Sequence, residues 1–177
     1  MITASELAGF IAAHAILCVS DADSFTPMLA FTTEDGQRKL ERLAGVDVGA
    51  AVEYGRQRLK EDPLSADDGV LVYDGRITVA NGKLDAVLLE MRSYAFPWAK
   101  ATIAIPYSPC GSGRFRVHKP KLVDWERCED FDSDAAFESF FRGVAAHDQG
   151  RRCGMQPSTK ASEARCRQPL SSTPTSW

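Results

Sequence analysis

The sequence predicts an α+β fold: a single domain built on a mostly antiparallel sheet of about six or seven strands, with two or three packed helices. Three observations lead there. The stretch 69–107, GVLVYDGRITVANGKLDAVLLEMRSYAFPWAKATIAIPY, is a series of β-branched and aliphatic runs. Asp-Gly, Asn-Gly and a Pro-Trp turn punctuate it, which is the signature of an antiparallel meander. Helical periodicity is confined to three stretches, near residue 7, near residue 52 and near residue 140. Asn81-Gly82 is the best-placed hairpin turn between the apolar runs, and a hairpin joins antiparallel neighbours.

Taken in order, Thr3-Ala-Ser-Glu6 reads as a capping box that starts a helix whose apolar face is Leu7, Phe10 and Ile11. The strand-forming run Ala15–Ser20 predicts that the helix stops near His14 and a strand begins; a helix running on to Cys18 is the alternative. Pro27–Thr33 is a strand, Glu34-Asp35-Gly36 a hairpin turn, and Gln37–Leu43 a charged return strand suited to a sheet edge. Val46–Glu61 is a helix with Val48, Ala51, Val52, Gly55 and Leu59 on one face, and Gly55 there implies a close approach to the sheet. Asp62-Pro63 ends it.

The next strand runs on through Asp74-Gly75, with a bulge at the glycine, to the Asn81-Gly82 hairpin. Leu84–Tyr94 follows, apolar on both parities at its centre and therefore covered on both faces. Thr102–Tyr107 and Phe115–Trp125 complete the sheet, the last made peripheral by Pro120. Asp132 or Ser133 caps a final helix with the stripe Phe137, Phe140, Phe141 and Val144, closed by Gly150.

Residues 1–150 are expected to form the globular domain and 151–177 a disordered tail. The tail is rich in Ser, Thr and Pro, with five basic residues against one acidic. It has too little apolar side chain to offset its ordering entropy. Its +4 leaves −7 on the rest of a chain whose net charge is −3. That acidity disfavours a nucleic-acid partner and suits a basic protein. The sequence shows no transmembrane run and no signal-peptide pattern. Its five cysteines are odd in number, widely spaced and without a C-x-x-C pair, which points to a reduced, cytoplasmic compartment rather than a disulfide framework or zinc knuckle.

The only acid–base cluster suggested by pattern is Asp74, Asp85, Glu90 and Arg92. Asp74 on one strand and Glu90-Met91-Arg92 on the next are similar to the acidic and E-x-K elements of PD-(D/E)xK nucleases. That resemblance implies, as an alternative reading, a divalent-metal phosphodiester hydrolase. Arginine stands where that pattern has lysine, and Asp85 and Glu90 have opposite parity on one strand. The plainer expectation makes Asp74 a turn residue and has Glu90 and Arg92, which share a face, pair with each other or with cross-strand partners. His14, His118 and His147 share no metal-ligand spacing, and neither a metal nor another cofactor is expected. Cys110, in a Gly-Ser-rich loop, has no positioned base.

A chain with strong core signals and no compact group of nucleophile, base or ligands reads as a non-catalytic adaptor or inhibitor-type protein. Trp98, Tyr94, Arg114, Arg116, His118 and Lys121 are the candidate binding residues, with Tyr107 and Trp125 as further aromatics expected to be exposed, because aromatics and arginines dominate interface energetics. Edge strands also allow a homodimer by strand addition.

Overall fold

The computed structural model describes residues 1–21, 25–45, 47–61, 65–80, 82–95, 99–109, 115–126, 132–148, 150 and 155. Three helices and seven antiparallel strands make an α+β fold. They follow in the order α1 (Ile2–Asp21), β1 (Met28–Thr33), β2 (Arg38–Arg42), α2 (Val48–Glu61), β3 (Ala66–Val79), β4 (Gly82–Ser93), β5 (Lys100–Ser108), β6 (Arg116–Val117), β7 (Lys121–Glu126) and α3 (Ser133–Ala146). The sheet runs β2-β1-β3-β4-β5-β6, and β7 also pairs with β5, so β2 forms one edge and β6 with β7 the other.

The two faces of the sheet carry separate cores. On one, α1 lies over β3 and β4 and packs along α3. Ile11, Ile16, Val70, Val72, Val87, Leu89, Ile103, Ile105 and Phe140 meet there. On the other, α2 covers β1 and β3 with Ala51, Val52 and Leu59 against Leu29, Phe31, Leu71 and Leu88. Strand residues alternate between these cores, as a period of two requires. Gly55 lets α2 approach closely: a β-carbon there would meet Leu71 Cδ1 at 2.6 Å.

Several expectations change. α1 does not stop at His14 but continues to Asp21, so 15–20 is helix and not strand. Ala12, Ala15, Ile16 and Val19 are buried between sheet and α3, and that packing overrides strand propensity. By length and composition α1 could cross a membrane; here most of it is buried against the sheet and α3. The capping box is not formed. Glu6 instead pairs with Arg38 and Arg142, and Ser5 Oγ donates to the Met1 carbonyl.

β3 keeps one register with β4 from Asp68 to Val79, so Gly75 carries no bulge. The expected strand Phe115–Trp125 is two, β6 and β7, parted at residues 118–120, where Pro120 cannot donate to the ladder. α3 starts as expected, Asp132 accepting from the Ala135 amide at 2.9 Å, but ends at Ala146 rather than Gly150. Of the expected tail, only Met155 lies within the described residues. It is buried in the core that α1 and α3 share with the sheet.

α1 and α3 cross at a pair of glycines. A β-carbon on Gly9 would run into the carbonyl of Phe140, and one on Gly143 into the carbonyl of Glu6 and the amide of Phe10. Each glycine faces the other helix's backbone, so the axes come closer than two side-chain layers would permit.

Candidate functional site

The four residues suggested by the meander do not converge. On β3, Asp74 shares parity with Val70 and Val72 and faces the α1 side; on β4, Asp85 shares parity with Val87 and Leu89 and faces the same side. Glu90 and Arg92 have the other parity and face α2. Asp74 and Glu90 therefore stand on opposite faces of a close-packed sheet and cannot bind one metal ion. Among the described residues, no three His, Cys, Asp or Glu side chains are grouped to hold one.

On the α2 side, Glu90 belongs to a compact polar cluster. Arg56 of α2 reaches down to it, with Nε at 2.9 Å and Nη2 at 2.7 Å from Oε1. Tyr73 donates to the same oxygen at 2.6 Å and accepts from Arg56 Nη2 at 2.9 Å. Arg56 also pairs with Glu53 one turn earlier and lies over the Tyr73 ring. Burial, reinforced by the neighbouring Glu90 carboxylate, pushes the Tyr73 hydroxyl well above its usual range and keeps it a donor. Each group in this cluster has a partner, and the cluster ties α2 to the sheet. Glu90 thus pairs with a helix residue rather than with Arg92.

On the α1 side, Asp74 is a strand residue rather than a turn residue. It accepts from Tyr107 Oη at 2.8 Å, and Asp85 pairs with Arg76 across the ladder at 3.0 Å. Burial pushes the Asp74 carboxyl up to about 6, against the Tyr107 hydrogen bond and with help from the charge on Asp85. A carboxyl raised from 3.8 holds its proton more tightly folded than unfolded. Its charge then costs stability progressively as pH rises from about 4 through 6. Asp74→Asn, still able to accept from Tyr107, is expected to stabilise the fold by about 1–2 kcal/mol at pH 7, allowing for partial exposure to solvent, and by little at pH 4. Urea titrations at the two pH values measure both.

A third polar group lies where α1 and α3 end together. His14, Leu17, Cys18, Asp21, His147 and Asp148 line an open groove of about 300 Å³. Cys18 Sγ is 3.8 Å from His14 Nε2, and the His14 and His147 rings lie 5.9 Å apart. Arg42 of β2 comes to 3.5 Å from His14 Nε2, a contact that needs an unprotonated nitrogen. Burial first, then Arg42 and His147, hold His14 below the usual imidazole range. Burial pushes the Cys18 thiol up, so it is a protonated thiol at neutral pH and a poor nucleophile. Sequence spacing hides this groove, because its histidines come from opposite ends of the chain.

Asp68 is also missed by the sequence reading. It is 1% exposed at the start of β3, and neither carboxylate oxygen makes a hydrogen bond of regular geometry. Burial raises its affinity for a proton, opposed by the nearby Thr3 and Ser93 hydroxyls.

No protein-family model, curated protein or solved structure matches this chain. The candidate binding residues must therefore be weighed on geometry. Trp98 and Arg114 lie outside the described residues. Tyr94 is half-buried and donates its hydroxyl to the Leu59 carbonyl at 2.7 Å, joining α2 to β4 rather than standing ready for a partner. His118 is half-buried with its Nε2 3.1 Å from Ser108 Oγ, and Lys121 is half-buried on β7. Arg116 is exposed. Trp125, a further aromatic candidate, is 44% exposed on the β7 edge, whereas Tyr107, also expected to be exposed, is buried on β5 and donates to Asp74.

Proposed function

We propose that this chain is a non-catalytic protein-interaction domain of the adaptor or inhibitor type, engaging a protein partner along its β6–β7 edge. The observation that carries the reading is Trp125, a large aromatic left 44% exposed on an edge strand. A tryptophan in that position offers a large apolar contact at small entropic cost, and the adjoining strand backbone offers ladder hydrogen bonds. Exposed Arg116 marks the other end of the same edge, with His118 and Lys121 between them. The −7 carried by residues 1–150 would draw a basic partner from a distance.

The carboxylates that suggested a hydrolase support this reading indirectly. Glu90 is committed to Arg56 and Tyr73, Asp74 to Tyr107 and Asp85 to Arg76.

The test is affinity capture from cells that express the protein, using wild type and the double variant Trp125→Ala, Arg116→Ala. Loss of two hot-spot side chains is expected to weaken a specific partner by about 30-fold or more, with the melting temperature unchanged. Equal recovery of the partner by both proteins would remove the edge from consideration.

A further inference from the structure

The opposite edge of the sheet carries a pattern that complements itself. β2 reads Arg38-Lys39-Leu40-Glu41-Arg42, and Leu40 is 48% exposed although it sits in a strand. Its inner side is paired with β1, Leu40 opposite Ala30. The phase of that ladder is fixed by Leu43 donating to the Pro27 carbonyl and Thr33 donating to the Gln37 carbonyl. In an antiparallel pair such residues alternate, so Lys39 and Glu41 spend their backbone groups on β1. Arg38, Leu40 and Arg42 turn theirs outward. Among the described residues, no other strand pairs along that open row.

We propose that two copies of this chain pair through β2, antiparallel about a twofold axis at Leu40, forming one continuous sheet across the dimer. This register sets Leu40 against its symmetry mate, both with outward-facing backbone groups, as a hydrogen-bonded pair requires. It also sets Lys39 opposite Glu41 of the second copy, twice. The neighbouring twofold registers are worse: one sets Lys39 against Lys39, the other Glu41 against Glu41. Like charges directly opposite are destabilising and unlike charges favourable, so charge selects the Leu40-centred register.

Its like-charge contact, also made twice by the symmetry, is Arg38 opposite Arg42. Arg38 is already countered by Glu6 at 3.4 Å and stacked on the Phe10 ring at 4.5 Å, which lowers the cost of that approach. Glu41 also accepts from Arg58 of α2 at 3.3 Å, and that contact holds its carboxylate on the α2 face, where Lys39 of the second copy would arrive. The charged character read from sequence as a guard against strand addition thus guards against other registers and partners while permitting this one.

The test is the mass of the purified full chain by light scattering across a concentration series. Wild type is expected to rise toward twice 19.4 kDa. Lys39→Glu and Glu41→Lys, each of which creates two like-charge pairs, are expected to weaken the dimer by about tenfold, and the double swap to restore it. Leu40→Lys should abolish it. Circular dichroism melts confirm that each variant is folded, and Lys39→Glu, whose side chain is exposed, serves if the loss of Arg58's partner unsettles Glu41→Lys. A wild type that stays monomeric at every concentration, or a dimer indifferent to the single swaps, overturns the proposal. Either result leaves partner capture at the β6–β7 edge unaffected, because that edge lies at the other end of the sheet.

Discussion

Gly9→Ala is expected to destabilise the protein by about 3 kcal/mol or more, and Gly143→Ala by a similar amount. Neither added methyl has anywhere to go. On α1 it would occupy the Phe140 carbonyl, and on α3 the Glu6 carbonyl, and both are backbone groups that no rotamer change can move. The helices would have to part along their crossing, loosening Leu7, Ile11, Phe140 and Val144 together. Helix propensity works the other way, since alanine is favoured over glycine by about 1 kcal/mol in a helix interior. Denaturant midpoints therefore give a clear sign. A fall in both variants supports backbone-on-backbone contact, and a rise in either contradicts it.

Glu90→Ala is expected to cost about 2–4 kcal/mol, because it leaves Arg56 only the exposed Glu53 and the Tyr73 hydroxyl and removes the acceptor of Tyr73 in a half-buried setting. The Arg56 and Glu90 side chains are 28% and 21% exposed, which keeps the loss below that of a fully enclosed pair. Glu90→Gln retains an acceptor and is expected to lose only about 1 kcal/mol. A double-mutant cycle of Glu90→Ala with Arg56→Ala separates the pair's coupling from the burial of each partner. Coupling near zero would mean that α2 is held by Val52, Gly55 and Leu59 alone.

What could be read in the sequence divides along the range of the interaction. β3 and β4 were legible because alternation is local and a glycine, Gly82, marks the return of the chain. α2 was legible from Ala51, Val52, Gly55 and Leu59, which form its buried face, although Val48, read onto the same face, is exposed; Gly55 correctly implied a tight approach to the sheet. α1 was misread after His14 because a helix lying between a sheet and a second helix is apolar nearly all round, so its periodicity fades. Ile16, Cys18 and Val19 then resemble a strand. The Gly9–Gly143 crossing joins the two ends of the chain, and nothing local distinguishes those glycines from others. Parity placed Asp85 and Glu90 on opposite faces from sequence alone. Only the register of β3 on β4 shows that Asp74 sides with Asp85, and only the docking of α2 shows that Glu90 belongs to Arg56.

The central claim is that the acidic residues of the meander serve the fold while partner recognition belongs to an exposed edge. Partner capture with two variants side by side tests it most directly. Trp125→Ala with Arg116→Ala should lose the partner and keep its melting temperature. Glu90→Gln should keep the partner and melt slightly lower. The reverse result, a partner lost with Glu90→Gln and retained by the edge variant, would place function in the carboxylate cluster and contradict the claim.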